Sequence, residues 1–276
     1  MKAFRWAALL TATTVLLSSS IAIAQWARSV PVLAQSVPST SKPDLTLLTT
    51  AAANFLKGEV LQTESATEII GTGQGTNIKV RFQSKTIVQS PNRFRSEITL
   101  SPNGKQARAA IVVSDGQRVT IYRSDLNQSL TMSYQQFDRR DDSYGIGMSS
   151  VLYLIMAPDL KPLAAQGALT DKTVQSQLRA MTPANLSGGA RSINNQNLYV
   201  YEYGDRQKNF SYEAAIDPIT ATLKQLQIKG NAEGMNITIT ETIQRRSSFA
   251  IINANSFRFA PPRTAKAVKT LEIVPF

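Results

Sequence analysis

Neither cysteine nor histidine occurs among the 276 residues. Without cysteine there is no disulfide, no thiolate metal ligand and no attachment point for a cysteine-linked lipid anchor. Without histidine there is no imidazole ligand, no Ser-His-Asp or Cys-His nucleophile system, and no base that titrates near neutrality without help. Most familiar hydrolase mechanisms are excluded, and neither an enzyme, a metal nor a cofactor is expected. Acidic residues are few beside basic ones, 19 against 30, which sets the formal net charge at +11. Such a surface attracts anionic partners. No basic stripe interleaved with aromatics accompanies it, which speaks against nucleic acid and leaves an anionic membrane surface, lipid headgroups or wall polymers.

Long apolar runs are confined to the start of the chain. Lys2 and Arg5 precede a run from Trp6 to Ile23, and two small-x-small sites follow, Ala22-Ile23-Ala24 and Val32-Leu33-Ala34. This pattern marks residues 1–34 as a secretory signal peptide, with Gln25 or Gln35 as the first mature residue. A run of about 17 apolar or small residues also suits an uncleaved anchor; the serines at 18 to 20 and the doubled cleavage signal favour removal. Cleavage after Ala34 takes away Lys2, Arg5 and Arg28 and no acidic residue, lowering the charge to +8. The expected product is periplasmic, soluble and monomeric.

What remains is 42% hydrophobic over the whole chain, enough to build a core. Residues 35–43 read as a polar linker and 44–276 as a single domain. Asp44 has the chemistry of an N-cap. Leu45, Leu48, Ala52, Phe55 and Leu56 follow at helical spacing, and Gly58 stops the run. The period then changes to two. Ile78, Val80 and Phe82 alternate with polar neighbours, and Phe94, Ile98 and Leu100 stand opposite Arg95, Glu97 and Thr99. In "VVSDGQRVTIY", Asp115-Gly116 predicts a two-residue hairpin turn, pairing Val112 with Val119 and Ala110 with Ile121 on one apolar face. Leu130, Met132 and Tyr134 predict a further strand.

The rhythm breaks at residues 144–157, where Met148, Val151, Leu152, Ile155 and Met156 share a helical face that Pro158 is expected to end. A second helix is expected over 169–181. Strands resume with "LYVYEYG", "NFSYEAAI", "ATLKQLQIKG" and "MNITITETIQ", and two prolines close a last short strand at "SFRFAPP". No βαβ rhythm is present, so the expected class is mainly β (α+β): a curved antiparallel sheet or incomplete β-barrel, with an N-terminal helix and a helical lid inserted mid-sheet.

These features in this order, "VQSPNRFR" at 88–95, "VSDGQRVTIY" at 113–122, helices in mid-sheet and "FRFAPP" at 257–262, resemble the LolA-like superfamily of periplasmic lipoprotein carriers. The resemblance spans most of residues 44–270. It implies an apolar half-barrel cavity holding the acyl chains of a lipid or lipid-modified protein. The lining would comprise Phe82, Phe94, Ile98, Val112, Val119, Ile121, Met132 and Tyr134 from the sheet, with Met148, Leu152, Ile155 and Met156 from the lid. Carriers of this type place a basic residue immediately before the Pro-Asn of the strand start, where it helps to hold the lid closed. Here Ser90 occupies that position, and Arg93 nearby is the candidate for lid or access control. The alternative for the 144–157 helix is ordinary core, and an envelope stress sensor or assembly factor binding a protein partner is the alternative function.

Three further signals carry less. "GTGQGT" at 71–76 imitates a phosphate loop, but strand rather than helix follows it, so a hairpin loop is expected. "DRRDD" at 138–142 lacks calcium-loop spacing and reads as a solvated loop. Tyr199, Tyr201 and Tyr203 share a strand face and suit either a ligand surface or a core with satisfied hydroxyls.

Overall fold

A computed structural model of the chain describes residues 42–73, 75–100, 108–205, 210–232, 234–248, 251–253 and 255–274. The expected signal peptide and most of the linker lie outside the described residues. Among the described residues, twelve strands hydrogen-bond in the linear order β12-β6-β5-β4-β3-β2-β1-β11-β10-β9-β8-β7. With few helices beside them, this is the expected mainly β class. By packing, the described residues divide into two compact units, one drawn from residues 42–57, 70–78 and 156–240, the other from residues 58–69, 79–155 and 241–274.

The first unit begins with helix α1 (Leu45–Leu56). Asp44 caps it as expected, its carboxylate accepting the Leu47 amide at 3.0 Å. The buried stripe is Leu45, Leu48, Thr49, Ala51, Phe55 and Leu56. Four antiparallel strands follow later in the chain: β7 (Leu186–Ile193), β8 (Gln196–Asp205), β9 (Phe210–Asp217) and β10 (Thr222–Ala232). Tyr201 of β8, Ile216 of β9 and Ala221 form one core cluster with Leu45, Leu48 and Ala51. Strand β7 is not foreseen in the sequence reading. Its turn into β8 is Asn194-Asn195, both at positive φ, the geometry a two-residue hairpin needs. Asp217 closes the β9–β10 turn by accepting the amides of Ile219 and Thr220. The opposite face is charged: Arg191 bonds Glu202 at 2.6 Å and Glu213 at 3.1 Å, and Lys229 pairs with Glu213.

The second unit is a meander of β2 (Thr76–Gln89), β3 (Arg93–Leu100), β4 (Arg108–Asp115), β5 (Arg118–Arg123) and β6 (Gln128–Ser133), preceded by β1 (Val60–Gly73). The first residues of β2 and the last of β1 belong to the first unit. The expected loop over 71–76 is shorter than that: Gly71, Thr72 and Gly73 end β1 and Thr76 opens β2, and Gly75, at φ +77, lies in the short connection between them. Two expectations need correction here. Val112 stands opposite Ile121 and Ala110 opposite Arg123, a shift of two residues from the expected pairing. The cause is the Asp115 carboxylate, which accepts the amides of Gln117 and Arg118 at 2.8 Å each. This moves the turn onto Gly116, at φ +102, and Gln117. A shift of two preserves the face, so Val112, Val119 and Ile121 remain buried together. Tyr134 does not extend β6. Ser133 and Gln136 form a capping box that starts helix α2 (Tyr134–Asp138) at Tyr134.

The helical insertion also departs from expectation. A 3₁₀ turn, η1 (Ser143–Ile146), precedes α3 (Met148–Ala165), which runs through Pro158 and Pro162 instead of ending there. Leu154, Met156, Ala157 and Leu160 are buried along it, and tertiary burial outweighs the hydrogen bonds that the prolines remove. The expected second helix is divided at Asp171, which caps α4 (Lys172–Met181) after a 3₁₀ turn, η2 (Ala168–Thr170). The "FRFAPP" segment forms no strand. Two residues beyond it, β12 (Lys266–Ala267), pair in parallel with β6.

Candidate functional site

The site lies on the buried face of the second unit. Positions 82, 94, 98, 112, 119 and 121 alternate with outward residues along four adjacent strands. Phe82, Phe94, Ile98, Val112, Val119 and Ile121 are each 0–2% exposed. Period two in the sequence marks all six. Met132, opposite Val119, is half-buried. Tyr134 is half-buried on α2 and stacks on Phe137 at 6.2 Å, and Phe137 stacks on Phe94 at 5.1 Å. Burial pushes the Tyr134 phenol well above its ordinary range, with Asp138 adding to the shift. On α3, Met148 and Leu152 are buried and Ile155 is half-buried; Met156, also buried, belongs to the first unit.

Arg93 lies at the strand start, exposed. Its Nε donates to the Asp115 carbonyl at 3.2 Å and its guanidinium sits 6.0 Å from the Phe257 ring. Arg95 has the same relation to Phe259, at 5.9 Å. The tail of the chain thus lies over the outward face of β3 and β5, with Phe259 also against Tyr122, and continues as a strap. Asn127 donates to the Thr264 carbonyl, Arg123 to Glu272 and Arg140 to Leu271. The strap ends with Ile273 and Val274, both fully buried, against Gly145. The "DRRDD" loop is therefore only partly solvated. Arg140 grips Asp142 with two bonds of 2.7 Å, and Asp142 accepts the Ile273 amide.

The same buried face carries a set of polar residues that the sequence reading does not single out. Thr63, Ser65 and Thr67 on β1, Ser84 and Thr86 on β2 and Ser96 on β3 are all at most 4% exposed. Ser65 and Ser84 share a hydrogen bond of 3.0 Å. Thr86 bonds Ser96 at 2.8 Å and the Ile146 carbonyl at 2.7 Å. Among them sits Glu241 of β11 (Met235–Ser247), 0% exposed. Its Oε2 accepts the Ser149 amide at 2.6 Å and its Oε1 accepts the Ser149 hydroxyl at 3.0 Å. Ser149 is the second residue of α3, so Glu241 supplies from another strand the acceptor that a first-turn amide lacks within its own helix. Burial pushes the Glu241 carboxyl above the usual carboxylate range; hydrogen bonds from Ser65 and Ser149 oppose that rise.

Gly147 makes this approach possible. Its φ is +93, and a Cβ there would lie 2.8 Å from Glu241 Oε1 and 3.3 Å from Ser84 Oγ. The signal for the polar set is available in the sequence: Ser65, Thr67, Ser84 and Thr86 fall on inward positions between Glu64, Glu68 and Lys85. Those charged neighbours pair on the outer face, Lys79 with Glu68 and Lys85 with Glu64. Among the described residues no group of three or more histidine, cysteine or acidic side chains is placed to hold a metal.

An antiparallel sheet with a buried apolar face and helices set beside it defines the class to which the chain belongs by architecture. No protein-family model matches the sequence, and no curated protein matches it. Among solved structures, the chain is similar to an uncharacterized conserved protein from Thermus thermophilus, at 10% identity and a TM-score of 0.41, over 80% of this chain and 96% of that one. It is also similar to a LolA superfamily protein from Nitrosomonas europaea, at 10% identity and a TM-score of 0.30, over 80% of this chain and 98% of that one. A third likeness is to the Pseudomonas aeruginosa MucA/MucB complex, at 10% identity and a TM-score of 0.35, over 82% of this chain and 64% of that one.

Proposed function

We propose that the protein is an exported, periplasmic carrier that binds the acyl chains of a lipid or lipid-modified protein against the apolar face of β2–β5. It works by partition without covalent chemistry: apolar burial at about 25 cal/mol per Å² holds the chains, and displacement of the start of α3 admits and releases them. One observation carries the reading. Six large apolar side chains form a continuous face, and the helix segment beside it is anchored at its first turn by polar bonds to Ser149. Polar anchors can be exchanged for water at lower cost than interlocked apolar packing, and the methionines of α3 adapt to either a closed or a filled face. No helix of the described residues is long and apolar enough to cross a membrane.

The experiment is mass spectrometry of an organic extract of gently purified protein. About one equivalent of co-purifying lipid is expected. A lipid-free protein that also takes up no acyl probe would sink the reading. The second reading, a sensor or assembly factor that binds a protein partner, is favoured by the stacking of Phe94 on Phe137, which fills the face with the protein's own side chains. It predicts the lipid-free outcome.

A further inference from the structure

The second unit sorts its cations into two kinds. Lys79 and Arg81 pair with Glu68, Lys85 with Glu64, Arg95 with Glu97, Arg123 with Asp125 and Arg140 with Asp142. The strap departs from this pattern. Residues 257–271 hold Arg258, Arg263, Lys266 and Lys269 and no acidic residue. All four are exposed, and among the described residues none of them is paired with a carboxylate. Nor do they sit on a loose tail. Phe257 is buried, Asn127 donates to the Thr264 carbonyl and accepts the Lys266 amide, Ser129 accepts the Val268 amide, and Arg140 donates to the Leu271 carbonyl. The backbone of the strap is engaged with the sheet, and its cationic side chains are left to the solvent.

The turn that receives the strap carries an exposed leucine. Leu126, between β5 and β6, precedes Asn127 and is 49% exposed, one of three large apolar side chains so placed among the described residues. Its acidic neighbour Asp125 is neutralised by two bonds from Arg123, at 2.8 and 2.7 Å. A single exposed leucine is ordinary, but an apolar tip beside unpaired cations is the composition of a surface that rests in a lipid interface. The apolar group enters the acyl boundary and the cations meet anionic headgroups. A protein interface would instead offer aromatic anchors at its centre. The strap's aromatics are engaged with the sheet, Phe257 at Arg93 and Phe259 at Arg95 and Tyr122. We propose that Arg263, Lys266 and Lys269 of the strap, together with Leu126, dock the protein on an anionic phospholipid surface. This surface is separate from the buried apolar face, and it stands whether or not that face holds acyl chains.

The test is co-sedimentation of the purified protein, as recovered from cells, with vesicles of phosphatidylcholine alone and of phosphatidylcholine mixed with phosphatidylglycerol. Wild type is expected to bind the mixed vesicles more tightly, and to lose that excess as salt is raised. Each basic residue near an anionic leaflet is worth about fivefold in partitioning, so the Arg263→Gln, Lys266→Gln, Lys269→Gln variant should bind the mixed vesicles about a hundredfold more weakly. Its melting temperature should equal that of wild type, since none of the three side chains is bonded. The Lys79→Gln, Arg81→Gln, Lys85→Gln variant removes the same charge from β2, where each cation is paired, and should keep most of the binding. Leu126→Ser should weaken binding about tenfold and leave its salt dependence unchanged. Equal binding to the two kinds of vesicle, or undiminished binding by the strap variant, overturns the proposal. So does an equal loss in the β2 variant, which would make net charge alone responsible. If polyglutamate binds as tightly as the mixed vesicles and Leu126→Ser weakens neither, the surface fits an acidic chain and the lipid assignment is overturned.

Discussion

Tyr201 donates its phenol hydrogen to the Asp44 carbonyl at 2.5 Å, 157 residues away in sequence. Tyr199, stacked on Tyr201 at 4.9 Å, accepts the amide of the same Asp44 at 3.0 Å. The tyrosines of this face fasten the first turn of α1 to β8, so the core reading, with satisfied hydroxyls, holds for these two. Burial pushes the Tyr201 phenol up, with Asp44 and Tyr199 adding to it. Tyr201→Phe is expected to cost about 1 kcal/mol, and Asp44→Ala about 1 kcal/mol through the lost cap. Urea denaturation of the two variants checks both.

Gly116→Val should destabilise by about 1–3 kcal/mol, because φ +102 strains any β-branched residue. A melting temperature equal to wild type would refute it.

Asp115 provides a pH test of the same turn. The Arg118 amide, then the Gln117 amide, hold its carboxyl below the usual value of 3.8. A depressed carboxylate contributes stability that is present above pH 3.8 and lost as pH falls through the folded value. Wild type should therefore lose stability below about pH 4 more steeply than Asp115→Asn. Parallel acid-unfolding curves for the two proteins would contradict this.

Glu241 has the opposite sign. With a folded value raised above 4.5, its contribution is greatest below pH 4.5 and declines as pH rises from there through the folded value. Glu241→Gln, which keeps an acceptor for the Ser149 amide, should gain stability relative to wild type as pH rises above 4.5. Glu241→Ala should cost about 1–3 kcal/mol for the unpaired amide. Melting temperatures over that pH range test both.

Leu152, 8% exposed on α3, separates a movable helix from fixed core. Leu152→Glu is expected to lose most uptake of a fluorescent acyl probe while keeping its strand signature in circular dichroism. Global unfolding, or undiminished uptake by a folded variant, would defeat the carrier reading.

Strands are legible in this sequence wherever inward and outward residues differ sharply, as in 94–100, where Phe94, Ile98 and Leu100 alternate with Arg95, Glu97 and Thr99. The α1 cap is legible because Asp44 meets its partner only three residues on. Register is not, since a side-chain acceptor at Asp115 moves the hairpin by two residues while leaving its face unchanged. Strand β7 escapes because its Gly188, Gly189 and Ala190 lack β propensity; the Asn-Asn turn behind it is the available clue. Glu241 escapes for another reason. A glutamate at an inward strand position looks like an error in alternation until Ser149, 92 residues away, arrives to use it.

The strap sets an order on assembly. Asp142 waits for Ile273 across 131 residues, and Arg123 for Glu272 across 149. Contacts so distant along the chain raise contact order, and chains dominated by them fold slowly because loop closure is paid before the contact forms. The meander of β2–β6 can form from neighbours alone, but Gly145 at the approach to α3 stays uncovered until residues 271–274 have been synthesised and docked.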